Sequence, residues 1–201
     1  MLRGRCRNCK KSISWRYPAI ELGTAALFLL SFLTFGLTVD GIGMDIFCFL
    51  LLGLAAMDAE TMTLPDMFTL PGIALGILYA GMTEGLHGAT YSALWAILAP
   101  LFILAIRGLY SVLRHREGMG LGDAKLMAMI AAWLGPGLAA LALFIGVVCA
   151  AIYGLTRIAS QNRFKSAMAL RLPLGSFLCA GAIYAIFEGE QTLKWYMQFL
   201  R

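Results

Sequence analysis

"HREGMGLGDAKLMAMIAAWLG" occupies residues 115–135, and its reading decides the fold of the whole chain. One acid, Asp123, and one base, Lys125, stand at the mouth of a run that is wholly apolar from Leu126 to Leu134, behind Gly118, Gly120 and Gly122. A carboxylate at the centre of a membrane helix costs about 2.5–3.5 kcal/mol on insertion scales, and less near an end, so its place here calls for a reason. The rest of the chain supplies the setting. Of 201 residues, 60% are hydrophobic and only 13% charged, where soluble proteins carry about a quarter charged. This is the composition of an integral membrane protein.

Apolar runs near the roughly 20 residues that cross a bilayer fall at 19–38, 42–58, 67–82, 89–109, 123–135, 137–156 and 172–188. The expectation is an all-α, polytopic protein of about seven transmembrane helices. The fifth and sixth runs meet at Gly135-Pro136-Gly137, which reads either as a tight reversal or as a break in one longer element. Trp15, Tyr17, Trp195 and Tyr196 suit interfacial belts, and the tail "QTLKWYMQFLR" suits a helix lying on the outer surface. The first apolar run is too long for a signal-peptide core and is expected to be retained.

Basic residues orient this array, because cytoplasmic loops collect Lys and Arg. With the N-terminus inside, 14 of the 16 Lys and Arg fall on the inner side, and only Lys194 and Arg201 outside. The net charge of +5 is then a consequence of orientation in the membrane, with lipid as the partner, and does not call for nucleic acid.

Depth and side separate two acids from the others. Asp58 follows "FCFLLLGLAAM" at the inner end of its run, and Asp123 opens a later run after an inner loop. Two crossings lie between them, so both sit on the cytoplasmic side at similar depth. Each adjoins backbone expected to be non-helical: the three glycines before Asp123, free to take positive φ or to lie against another segment, and "AETMTLPD", where Pro65 and the cap-type Asp66 end a short loop. Irregular backbone at membrane depth is tolerated chiefly where it lines a cavity. The plainer alternative makes each acid a boundary residue, with Asp123 favoured by its helix dipole.

In that context "MGLGDAKL" resembles the GxGD motif of intramembrane aspartyl peptidases, and as Gly120-Leu121-Gly122-Asp123-Ala124-Lys125-Leu126 it is similar to the bacterial type IV prepilin peptidases. "LRGRCRNCKKSISWRYPAIE" matches the cytoplasmic loop of that family, "DAETMTLPD" its first aspartate motif, and "LPLGSFL" at 172–178 its late Pro-x-Gly segment. The resemblance implies a cytoplasmic segment at 1–18 and a membrane-embedded peptidase domain at 19–201. It implies catalysis by Asp58 and Asp123, pilin-like precursors as substrates, cleavage at the cytoplasmic membrane face and, in many members, methylation of the new N-terminus with S-adenosylmethionine. The chemistry is consistent with elementary expectation. Two carboxylates a few ångströms apart share one proton; one accepts a proton from attacking water while the other donates to the scissile carbonyl. Lys125 is expected to extend its amine to the headgroups.

Two other classes stand beside this reading. A small proton- or cation-coupled transporter would also need two acids, although it would place them nearer the midplane and often show repeats. A membrane scaffold descended from a peptidase would keep the fold without the activity.

Cys6 and Cys9 have the C-x2-C spacing of a zinc knuckle, but a closed structural zinc site takes four ligands, and a reduced thiol pair is the simpler state. Bifunctional members carry a further pair upstream and a span before it. The expectation is that this chain lacks both, binds zinc incompletely if at all, and methylates poorly while still cleaving. Cys48, Cys149 and Cys179 read as small buried apolar residues within spans.

Overall fold

The computed structural model describes residues 8–9, 14–114, 120–161 and 172–199. Among them every regular element is a helix: α1 (Arg16–Phe35), α2 (Val39–Thr61), α3 (Asp66–Arg114), α4 (Leu121–Gln161) and α5 (Leu174–Phe199). The all-α expectation holds, and α1 to α4 are long and apolar enough to cross a membrane. The seven expected runs appear in a different form. α3 and α4 each contain a glycine with non-helical backbone, Gly85 (φ 69°, ψ −156°) and Gly135 (φ 71°, ψ 178°).

Those two glycines are where the chain turns back. At 1.5 Å per residue, a straight helix of the length of α3 would span about 74 Å, more than twice a hydrocarbon core of about 30 Å. A positive φ followed by extended ψ is open to glycine and strained for residues with a Cβ. Beyond Gly85, the chain returns so closely that Gly88 faces the carbonyl of Ala80, and Ala89 Cβ lies 3.4 Å from where a Cβ on Gly81 would be. In α4 the neighbours show the same reversal. Gly122, before the break, touches Leu64, while Gly137 meets Leu193, Gly146 meets Leu178 and Gly154 meets Leu172. The second half of α4 therefore runs antiparallel to α5 and returns to the end from which the first half started. Of the two readings of Gly135-Pro136-Gly137, the tight reversal is the one adopted.

The first half of α4 is the centre of the molecule. Leu126, Met129, Ile130 and Ala131 are fully buried, and Ala124, Met127, Ala128, Ala132 and Trp133 nearly so. A helix that is apolar all round belongs inside a protein, which accounts for the brevity of this run. α3 receives it at two glycines one turn apart: Met129 seats on Gly72 and Trp133 on Gly76. Trp133 then stacks between Phe47 at 4.9 Å and Tyr79 at 5.2 Å, and its Nε1–H donates to Gly72 O at 2.8 Å. Small residues bring α4 and α5 together as well, with Gly181 against the backbone of Ala142. This is the close approach that membrane helices use in place of a hydrophobic driving force.

Two local expectations change. α5 continues unbroken through Trp195 and Tyr196 to Phe199, so "QTLKWYMQF" extends a helix and does not form a separate surface element. Cys48 and Cys179 are buried as expected, but Cys149 is exposed on the outer surface of α4.

Candidate active site

Asp58 lies in the last turn of α2, where its own carbonyl accepts from Met62 N–H at 2.8 Å as the helix closes on a left-handed residue, Met62 (φ 52°, ψ 34°). The C-terminal end of a helix carries partial negative charge and disfavours a carboxylate. Asp58 is nevertheless 5% exposed. Its compensation comes from another element. Ser176, in the first turn of α5, donates its backbone N–H to Asp58 Oδ2 at 2.6 Å, and its Oγ lies 3.0 Å from the same oxygen. The positive N-terminal end of α5 thus meets the negative C-terminal end of α2 across one carboxylate.

Gly175 makes this approach possible. A Cβ at that position would lie 3.0 Å from Asp58 Cγ, Asp58 Oδ2 and Leu64 Cδ1. Pro173 directly precedes α5, and its lack of an N–H suits a helix start. The late Pro-x-Gly segment therefore carries the donors that hold the first aspartate, a role its sequence does not announce.

Asp123 occupies the first turn of α4. Its Oδ2 accepts from Gly120 N–H at 3.2 Å, half of the reciprocal capping pattern in which an acid reaches back to the residue before the helix. Each of the two aspartates is thus anchored through Oδ2 by a backbone N–H at a helix N-terminus. In each, Oδ1 takes no hydrogen bond among the described residues.

Leu64 shows that the two anchored carboxylates belong to one place. It touches Gly175 beside Asp58, and its Cβ lies 3.2 Å from where a Cβ on Gly122 would stand, next to Asp123. Asp58 and Asp123 are close enough to feel each other's charge, and the buried thiol of Cys179 feels both. The structure therefore brings together the two acids singled out from sequence. The glycines act through closeness and not through positive φ: Gly122 is helical, the positive-φ glycines among the described residues are Gly36, Gly85 and Gly135, and Gly118 lies outside the described residues.

Lys125 departs from expectation. Its Nζ sits 2.6 and 2.7 Å from the two carboxylate oxygens of Asp66, which opens α3. It does not simply reach for headgroups. The pair ties the segment after Asp58 to the segment after Asp123. A second link, Arg16 to Glu60 at 2.9 Å, joins the start of α1 to the residues beside Asp58. Asp66 and Ser176 were missed as site residues, although "LPD" and "LGS" both mark helix starts.

The candidate zinc ligands are not assembled in the same way. Cys6 lies outside the described residues, Cys9 is exposed, and among the described residues no group of three or more His, Cys, Asp or Glu is placed to hold a metal.

Two carboxylates of adjoining helix ends, each anchored on one oxygen, thus stand among helices of which four are long and apolar enough to cross a membrane. Residues 46–155 match the family described as the type IV leader peptidase family, and residues 1–35 match the bacterial peptidase A24 N-terminal domain. The chain belongs to the type IV leader peptidase family. It is similar to a protein of Burkholderia pseudomallei (strain 1026b) named prepilin leader peptidase/N-methyltransferase, with 37% identity over 193 residues, covering 94% of this chain and 60% of that protein. Proteins of the same name from Pseudomonas putida and Aeromonas salmonicida (strain A449) are 32% and 31% identical over 99% and 98% of this chain, covering 68% and 66% of their own lengths. The chain thus spans about three fifths to two thirds of the length of these relatives. No solved structure matches it.

Proposed function

We propose that this chain is a membrane aspartyl endopeptidase that removes the leader peptide from type IV pilin-like precursors, with Asp58 and Asp123 as its catalytic pair. The observation that carries the reading is the convergence of two acids, 65 positions apart in sequence, on one site where each keeps an oxygen unbonded among the described residues. One carboxylate takes a proton from water as the water oxygen bonds to the scissile carbonyl carbon, and the other gives its proton to the carbonyl oxygen. The resulting gem-diol collapses as the C–N bond breaks, the leaving nitrogen collects a proton, and the pair returns to its single shared proton. No covalent intermediate is needed.

The division of basic residues, 14 inner to 2 outer, supports a site facing the cytoplasm, with each segment on either side of Gly85 and Gly135 crossing the membrane. A basic leader would then meet the site where the precursor's apolar helix enters the bilayer. A cysteine introduced at position 86 should react with an impermeant reagent from outside, and one at position 161 only after permeabilisation. The reverse pattern would separate the site from the leader.

Methyl transfer is the second activity in the names of the relatives. S-adenosylmethionine would be its methyl donor, and no residue of the site described above is assigned to it. The transporter reading has no observation in its favour.

Incubating the purified chain with a pilin-type precursor, with and without S-adenosylmethionine, and weighing the products tests both activities. Cleavage at the start of the apolar helix is the expected result, and an intact precursor would defeat the peptidase reading.

A further inference from the structure

The Ser176 hydroxyl has two neighbours and one proton. Its Oγ lies 2.9 Å from Ala55 O on α2 and 3.0 Å from Asp58 Oδ2, while its backbone N–H donates to that same Oδ2 at 2.6 Å. A backbone carbonyl only accepts, and a serine hydroxyl donates one hydrogen while offering two lone pairs. Ser176 therefore cannot donate fully to both oxygens at once. Each contact suits a different protonation state of Asp58. When Asp58 is ionised, the hydroxyl donates to Oδ2. When the proton sits on Oδ1, Oδ2 becomes a weaker, carbonyl-type acceptor, and the hydroxyl turns its hydrogen to Ala55 O. The backbone N–H bond to Oδ2 is kept in both states.

We propose that Ser176 is a positioning residue of the catalytic pair, a hydroxyl rotor that swings between Asp58 Oδ2 and Ala55 O as Asp58 loses and gains its proton. The inference rests on the assignment of Asp58 and Asp123 as that pair. Its physical basis is that general acid–base catalysis requires a carboxyl group to change protonation within each turnover without changing position. A donor that could not rotate would serve the ionised form and oppose the protonated one. A hydroxyl serves both, and Oδ1 is left for the reaction in either state.

The surroundings provide no substitute. Asp58 is 5% exposed, so water has little access to replace the hydroxyl. Among the described residues, the titratable groups that face it are Asp123 from α4 and the fully buried thiol of Cys179, one turn along α5 from Ser176. Gly175 lets the α5 N-terminus come this close, since a Cβ there would lie 3.0 Å from Asp58 Oδ2. The rotor is therefore held by the same approach that buries the acid.

The test uses the whole chain in detergent, as wild type, Ser176→Ala and Ser176→Thr. Ala keeps the backbone N–H and removes the hydroxyl, whereas Thr keeps both. On a pilin-type precursor, S176A should lower kcat about ten-fold, with KM within about two-fold and unchanged thermal unfolding, and S176T should recover most of that loss. In infrared difference spectra against Asp58→Asn, the antisymmetric stretch of the ionised Asp58 carboxylate should shift in S176A and return in S176T. That arm needs no cleavage, so it stands even if the peptidase reading fails. Wild-type kcat and an unmoved stretch in S176A would overturn the proposal, as would an equal loss of kcat in Ala and Thr.

Discussion

The two ends of the helix bundle are built on opposite principles. At the site end, helices stop and start: α2 closes at Met62, while α3, α4 and α5 open at Asp66, Leu121 and Leu174. The free N–H groups of those starts, two Asp side chains and the Lys125–Asp66 pair fill the space between them. At the other end the chain turns at Gly85 and Gly135, and the contacts are aromatic, with Trp133 stacked between Phe47 and Tyr79. That end also holds a carboxylate, Asp40, bonded to Tyr79 OH at 2.8 Å beside a cavity of about 400 Å³. Glu84 lines that cavity as well. The site end differs in holding each of its two acids on one oxygen through a backbone N–H of a helix start.

The largest expected effect breaks that difference directly. Asp58→Asn and Asp123→Asn should each lower leader cleavage by about a thousand-fold or more, since Asn keeps the size but cannot cycle a proton. Asp40→Asn should leave the rate within about two-fold. Mass measurement of cleaved precursor over time decides it, and near-normal cleavage by either of the first two variants would remove that residue from the mechanism.

Gly175→Ala should come next. A methyl 3.0 Å from Asp58 Cγ must push either the carboxylate or the start of α5 aside, and misplacing a reacting group by about 1 Å costs on the order of a hundred-fold in rate. Gly181→Ala meets the backbone of Ala142 in the middle of the bundle, where overpacking costs about 1–3 kcal/mol of stability. The two glycine variants should therefore separate: G175A loses rate at nearly unchanged unfolding temperature, and G181A unfolds earlier while its folded fraction stays active. Equal behaviour of the two in paired activity and unfolding measurements would erase the distinction between the ends.

The smallest effect is expected at Lys125 and Asp66. Their side chains are 40% and 57% exposed, so the pair contributes only about 0–1 kcal/mol to stability. Its value lies in the spacing of the two aspartate segments. Lys125→Ala should slow cleavage by several-fold, and the exchanged pair Lys125→Asp with Asp66→Lys should recover part of the loss. If K125A cleaves at the wild-type rate, the link is a surface ion pair without a part in placing the acids.

Both acids were readable before the structure because their signals are local. A carboxylate at the end of an apolar run, beside Gly-rich or Pro-containing backbone, stands out by depth alone, and the count of crossings puts Asp58 and Asp123 on one side. Cys6 and Cys9 have equally clear spacing, but a metal site needs ligands gathered from elsewhere, and Cys9 is exposed. Lys125 was misread because a lysine near a membrane surface reaches headgroups by default, whereas its partner lies 59 positions away.

The amino-acid sequence by itself determined the membrane-helical class, the apolar stretches that form helix and the two acids worth watching. All of these follow from residue type and near neighbours, because hydrophobic run length and charge placement act within one element. Only the tertiary structure decided that Gly135 is a reversal, that the short run at 123–135 is the buried centre, and that Ser176, 118 positions from Asp58, holds the first carboxylate. Those depend on which helix ends meet. A carboxylate at the negative end of α2 is disfavoured within its own helix, and it becomes tolerable only where the positive end of α5 packs against it.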